Sequence, residues 1–427
     1  MRLRPGLTVL WRRKGESQVG VDPRCAVVLE DLTAGEQHVL DHLRHEPTEA
    51  DLIRVGRTSG VAPERVRELV ALLHRSGVLA PDPRPRPPGS AVTPDEAYWS
   101  RLLADGDGAR LMAHRSAAAV AVAGLDQVGM RIAVHLAEAG VGTLLLKDES
   151  PVLPSDVGPY HPRDVGGVRR ERAEAVLRSS FPQLRTTART GARPDVLVAV
   201  STGVADPVQL LPLVREDVVH LPVVVGEVDV AIGPLVVPGQ GPCTRCLDLH
   251  RTDADPAWPA LATQLRASPP PLAATHLGQL GSAVAANQVL AVIDGRELVV
   301  DRASIEIGVS PLPVIRPWSV HPVCGCCEVA ADMPDQRGTA AFSSAVGPTT
   351  EGAPTVGPSI DPAPTAGPST DPAPTAGPST DPAPTAGPST DPAPTFGPNT
   401  SGEPTVGAGA DRDAGQRTAA RRVRTPA

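Results

Sequence analysis

The stretch AVAGLDQVGM, residues 121–130, decides the fold. Together with the residues before it, AAVAVAG (118–124) is a short apolar strand that ends on a glycine, and from residue 128 onward the pattern becomes helical. A strand that turns on glycine into a helix is the start of a nucleotide-type βα unit. In the G-x-G-x-x-G form of that turn, the middle glycine lets backbone amides approach phosphate oxygens. Here Gly124 and Gly129 hold the first and last positions, and Asp126 stands in the middle. Its carboxylate either lies in the path of a phosphate or caps an N–H at the helix start.

Strand and helix signals continue to alternate downstream. A strand at 141–148 (VGTLLLKD) is followed by a helix at 167–179 and a strand at 195–201 (DVLVAVS). A helix at 206–214 and a strand at 221–228 (LPVVVGEV) come next. This alternation predicts an α/β architecture with a doubly wound, Rossmann-like parallel sheet over residues 116–330. LGQLGSAVAANQVLAVIDG (277–295) reads as a helix rich in small residues that ends at Gly295.

Residues 1–80 read differently, with β-type runs at 7–12, 17–21 and 25–30 preceding three helices. Thr33 and Glu36 form a capping-box pair before the first helix. The second helix spans 48–58. The third runs from Pro63 to Gly77, with Val66, Leu69, Val70, Leu72 and Leu73 as its apolar stripe. The order predicts a winged helix-turn-helix. Twelve Lys or Arg stand against eleven Asp or Glu in this unit, so it has no basic footprint for DNA. Residues 81–115 hold a proline-rich linker (PDPRPRPPGS, 81–90) and a helix near 94–104. Beyond residue 331 a decapeptide, DPAPTAGPST, recurs at 361, 371 and 381 with degenerate neighbours. Three prolines per ten residues and few large apolar side chains predict a disordered, partly extended tail over 331–427.

Composition narrows the function classes. Aromatic residues make up 2% of the chain and the formal net charge is -8, which disfavours base stacking and binding to phosphate backbones or acidic membranes. No run approaches the roughly 20 apolar residues of a membrane span, and the expectation is a cytoplasmic protein with no nucleic-acid or membrane partner. Five of the six cysteines fall in two tight groups, GPCTRC (Cys243, Cys246) and HPVCGCC (Cys324, Cys326, Cys327). Four of them can close a tetrahedral, structural zinc site, leaving open whether Cys326 or Cys327 is the fourth ligand. His250 and His321 flank the groups.

The nucleotide-type turn, an acid at the end of the second strand and the two separated cysteine groups together resemble the ThiF/MoeB-like family of ubiquitin-type activating proteins. The resemblance covers roughly residues 116–330. It implies a domain that adenylates the C-terminal carboxylate of a small protein with ATP and magnesium, fastened by a structural zinc. It implies cofactor-binding roles for Gly124, Asp126, Gly129, Asp148 and Arg169: Asp148 sits at the ribose-binding acid, and Arg169 ends the DVGGVR segment (164–169) whose basic residue meets phosphate. The family's S-N-L-x-R-Q segment aligns with SDVGPY (155–160), which puts Asp156 at the asparagine and Pro159 at the arginine. Thr202 stands where the family holds a magnesium-binding aspartate. These departures weigh against efficient adenylation, and the sequence assigns no catalytic residue.

Residues 1–80 resemble PqqD-like modules, which bind the leader segment of a ribosomally made precursor peptide. That resemblance implies a contact surface at Ala26–Glu30 with Val66, Val70 and Leu73. The fused order is similar to the leader-binding cyclodehydratase partner proteins of azole-forming peptide systems, in which a separate YcaO-type enzyme spends the ATP. The expected function is therefore binding of a precursor peptide, or of a small ubiquitin-like protein, and its presentation to such an enzyme. A working adenylyltransferase is the first alternative and a winged-helix DNA-binding regulator the second. Dimers are usual in the family resembled, which makes a homodimer an expected assembly.

Overall fold

The computed structural model describes residues 1–81, 92–187, 193–326 and 423–424. The decapeptide repeats and Cys327 lie outside these residues. No helix among the described residues is long and apolar enough to cross a membrane.

Three short strands open the chain: β1 (Val9–Arg13), β2 (Glu16–Val19) and β3 (Val27–Leu29). They pair antiparallel in the order β1-β2-β3. Helices α1 (Ala34–Asp41), α2 (Glu49–Thr58) and α3 (Pro63–Arg75) follow. The capping box forms: the Glu36 amide donates to Thr33 Oγ1 at 3.2 Å, and the Thr33 amide donates to the Glu36 carboxylate at 2.7 Å. Gln37 then ties helix to hairpin, because its Nε2 donates to the Glu16 carbonyl at 2.9 Å while its Oε1 accepts from the Gly15 amide at 3.1 Å.

Val66, Leu69, Val70 and Leu73 of α3 face inward against Val19, Val27, Leu29, Val39 and Leu52, forming a core of their own, with Leu72 at its margin. This corrects one implication of the sequence. Val66, Val70 and Leu73 are 0%, 8% and 1% exposed, so they hold the unit together and offer no surface to a peptide. What β3 can offer an incoming strand is its backbone edge.

Helices α4 (Pro94–Leu102) and α5 (Gly108–Ala117) lead into the larger unit. The Arg4 guanidinium clasps the two parts together, donating to the Leu103 and Ala104 carbonyls at 2.7 and 2.8 Å. Arg115 of α5 is fully buried and forms a bidentate pair with a buried aspartate, Asp294, at 2.9 and 2.7 Å.

The large sheet begins as expected. Strands β4 (Ala119–Ala123), β5 (Thr143–Lys147), β6 (Val196–Thr202) and β7 (His220–Val225) are parallel in the order β5-β4-β6-β7. Helices α6 (Gln127–Glu138), α7 (Arg169–Ser180) and α8 (Pro207–Arg215) lie between them in sequence. Alternation along β4 and β6 sends Val120, Val122, Val196 and Val198 into the main core with α6, and Ala121, Ala123, Leu197 and Ala199 toward Leu210 of α8.

The sheet departs from the all-parallel expectation beyond β7. Strand β8 (Val230–Ile232) folds straight back on β7, because only four residues separate them and a parallel return needs a long crossover. Helices α9 (Thr244–Ala254), α10 (Trp258–Ala267) and α11 (Thr275–Asp294) intervene. Strands β9 (Ala303–Ile307) and β10 (Val314–Pro317) then extend the antiparallel side, giving a mixed sheet of seven strands. The small residues of α11 serve packing: a Cβ added to Gly281 would meet Val230 at 2.8 Å. Gly295 takes the left-handed conformation that ends α11. Finally β11 (Val423–Arg424) pairs antiparallel with β3.

Candidate functional site

A cavity of about 430 Å³ opens where β4 turns into α6, within the size range of small-molecule sites. Asp126, Asp156, Arg169 and Thr202 line it, and the Pro270–Leu272 segment forms a further wall. The turn itself is built by packing. A Cβ on Gly124 would fall 2.4 Å from the Val200 carbonyl oxygen, and one on Gly129 would fall 2.0 Å from the Gly124 oxygen. Both glycines are therefore required by the close approach of α6 to β4 and β6, whatever the cavity holds.

Asp126 is the N-cap of α6, with Oδ1 accepting from the Val128 and Gly129 amides at 2.9 Å each. It thereby occupies amides that a phosphate would otherwise meet at this helix start. Burial pushes its carboxyl above the usual carboxylate range, against the opposing pull of those amides and of Arg169. Asp148 follows β5 and turns its carboxylate back on the loop, accepting from the Leu125 amide at 2.7 Å and the Ser150 amide at 2.9 Å.

Arg169 is the one arginine or lysine among the residues lining the cavity, and it is already engaged. Its Nε and Nη2 donate to Asp156 Oδ2 at 2.9 and 2.7 Å, and its Nη1 lies 3.3 Å from Asp148 Oδ2. Both partner carboxylates are buried, with side-chain exposures of 8% for Asp148 and 4% for Asp156. Burial disfavours the guanidinium charge, but the hydrogen bonds and charges of the aspartates outweigh it and raise the Arg169 pKa. Tyr160, whose role the sequence did not suggest, ties the connection between β5 and α7 to the turn after β4 by donating from its hydroxyl to the Leu125 carbonyl at 2.8 Å. Two carboxylates thus pair with one guanidinium while the charge of a third, Asp126, lies nearby, and Thr202 supplies no acid for magnesium. This donor set does not fit a magnesium triphosphate: each unit charge of like sign about 4 Å away costs roughly 1 to 4 kcal/mol between water and a protein-surface dielectric.

The cysteines form a second centre. Cys243 caps the start of α9 and Cys246 lies in its first turn, so the two sulfurs share one side, 3.9 Å apart. Cys324 approaches Cys243 at 3.6 Å, and Cys326 approaches Cys246 at 3.4 Å. Gly325, left-handed at φ 69, turns the chain between these last two cysteines. A tetrahedral zinc with Zn–S bonds of about 2.3 Å holds its sulfurs about 3.8 Å apart, so the four cysteines fit such an ion. Burial, with the neighbouring thiols, pushes Cys243 up to about 12, and a divalent cation is what would let all four ionise together. Cys326 is the fourth member of the described cluster.

The rings of His250 and His321 group with Asp253. His321 Nε2 lies 2.8 Å from Asp253 Oδ2, its Nδ1 accepts from the Val323 amide at 3.2 Å, and His250 Nε2 lies 3.0 Å from the Ser319 carbonyl. Both rings therefore brace the 318–326 segment. In the first unit, ion pairs engage Arg65 with Glu36 and Glu68 and Arg67 with Glu49 and Glu64, which leaves α3 a weak cationic surface for DNA.

No protein-family model matches the sequence, and no curated protein matches it. Solved structures do share its fold. Escherichia coli MccB bound to succinimide superposes with a TM-score of 0.55 at 14% identity, covering 77% of this chain and 98% of that one. The microcin C7 biosynthetic enzyme MccB in complex with N-formylated MccA gives 0.54 at 14% identity over 76% and 99%. Selenomethionine PaaA gives 0.55 at 14% identity over 74% and 98%. The shared architecture is ThiF-like.

Proposed function

We propose that this chain is a ThiF-like binding protein that takes a precursor peptide, or a small protein, and presents it to a partner enzyme of the YcaO type. In this reading residues 1–80 are the winged-helix, PqqD-like peptide-recognition unit, and the peptide adds a strand at the backbone edge of β3, where main-chain hydrogen bonds supply affinity. The larger unit serves as the scaffold that meets the partner enzyme. The observation that carries the proposal is the enclosure of Arg169 by Asp148 and Asp156, which removes the phosphate-gripping cation from an otherwise nucleotide-shaped cavity. The likeness to MccB, solved in complex with N-formylated MccA, supports a peptide client.

Zinc at Cys243, Cys246, Cys324 and Cys326 is structural in this reading. Four sulfur ligands leave no open position for water, and the ion fastens the 318–326 segment to the start of α9. No covalent thioester takes part in this reading.

A second reading has its own support. The cavity is preserved at the carboxyl ends of the parallel strands, and the fold relative MccB has been solved with ATP. An active adenylyltransferase would use Asp148 and Arg169 toward ATP and magnesium, with Asp126 as an atypical loop residue. Pyrophosphate exchange separates the two readings. The purified chain, given ATP, magnesium and a panel of peptides and Gly-Gly-ended small proteins, should give no exchange above background. Peptide-dependent exchange with AMP release would establish the second reading and end the first.

A further inference from the structure

The edge of β3 already has an occupant. One side of the strand is committed to β2, through Ser17 opposite Leu29, Gln18 opposite Val28 and Val19 opposite Val27. The other side pairs antiparallel with β11, Val423 opposite Leu29 and Arg424 opposite Val28. We propose that this edge is a strand-accepting surface whose resident ligand is the chain's own Val423–Arg424 strand, part of the basic sequence 417–427, which an incoming peptide has to displace.

Three features of the sequence fit the segment to the place. The decapeptide repeats carry three prolines per unit, and proline lacks the amide that a ladder needs, whereas residues 405–425 contain none. RTAARRVRTPA (417–427) holds Arg417, Arg421, Arg422 and Arg424 with no acidic residue, and Glu30 and Asp31 follow directly on β3. Cys326 and Val423 are separated by 96 residues, which at about 3.3 Å each when extended is ample chain to reach β3. Sequence-tolerant main-chain pairing also suits a surface whose neighbouring side chains, Val27, Val28 and Leu29, are themselves buried.

The consequence is competition. A segment tethered in cis faces the edge at a high effective concentration, so a peptide in trans binds with an affinity reduced by the fraction of time the edge is covered. The inference shares with the proposed function the premise that the β3 edge accepts a strand, but it can be tested without any client peptide.

The experiment uses the full chain and its Val423→Pro/Arg424→Pro variant, in which neither residue can donate to β3. Hydrogen exchange over Cys25–Leu32 should be faster in the variant. Unchanged exchange overturns the inference whether or not a precursor peptide is ever found to bind. A fluorescent synthetic peptide of residues 417–427 should bind the variant at least about tenfold more tightly than the parent chain. Equal binding to both chains, binding to neither, or equal binding by a scrambled peptide of the same composition would each overturn it. If both expected results appear and a precursor peptide nevertheless fails to bind, it is the proposed function that falls.

Discussion

Replacing Asp126 and Asp156 together by asparagine should turn a cavity that repels triphosphate into one that accepts it. The Asp126→Asn change keeps a side-chain oxygen for the Val128 and Gly129 amides, so the α6 cap survives. With Asp156→Asn, the side chain can still accept from the Leu153 amide but no longer neutralises Arg169, which is left with Asp148 at 3.3 Å. Each carboxylate removed from within about 4 Å of a phosphate charge relieves roughly 1 to 4 kcal/mol. The cavity is open to solvent, so the lower figure is appropriate for each site. The sum, about 2 kcal/mol, corresponds to roughly a thirtyfold fall in Kd. Isothermal titration of parent and variant with magnesium-ATP measures it, and the gain should shrink as salt is added. A parent chain that binds ATP as tightly as the variant, with both melting normally, would refute the electrostatic reasoning.

Other outcomes follow from the same geometry. Cys326→Ser should abolish stoichiometric zinc and lower the melting temperature, whereas Cys25→Ser should leave metal content unchanged; elemental analysis with thermal melts decides this. Gly129→Ala forces a Cβ to within 2.0 Å of the Gly124 oxygen and should destabilise the chain by about 1 to 3 kcal/mol or more in urea unfolding, although it adds only a methyl group. Asp294→Ala removes the buried bidentate partner of Arg115, leaving it Asp95 at 3.0 Å, and should cost about 3 kcal/mol in the same measurement, the low end for breaking a buried pair. Finally, burial lowers the pKa of His220, whose Nε2 has no hydrogen-bond partner among the described residues. The unfolded chain therefore binds the extra proton first, so this contribution to stability is complete above about pH 6.5 and is lost as pH falls below that value. His220→Gln should flatten the slope of unfolding free energy in that window.

Much of the fold was legible because it is written locally. The capping pair Thr33 and Glu36, the apolar stripe of α3 and the strand–turn–helix around Gly124 each lie within a few residues of their partners, where chain geometry leaves little choice. The tight cysteine spacings likewise announced sulfurs grouped closely enough that they could hold a metal ion. The antiparallel half of the large sheet was not legible. Strands β8 and β10 are three and four residues long, too short for a periodic signal, and their direction follows from the turn after β7 and from what lies beside them.

The candidate site divides along the same line. The sequence by itself determined that an acid replaces the middle glycine, that an arginine ends DVGGVR and that four thiols can meet. Only the tertiary structure decided how these groups are spent. Asp126 caps its own helix, Asp148 and Asp156 converge on Arg169 from the connection between β5 and α7, and Cys326 joins Cys243, Cys246 and Cys324. Residue types and spacings fix which charges and ligands a chain owns, while the energy of a charge depends on distances of a few ångströms between segments far apart in sequence. Those distances exist only once the core has closed around them.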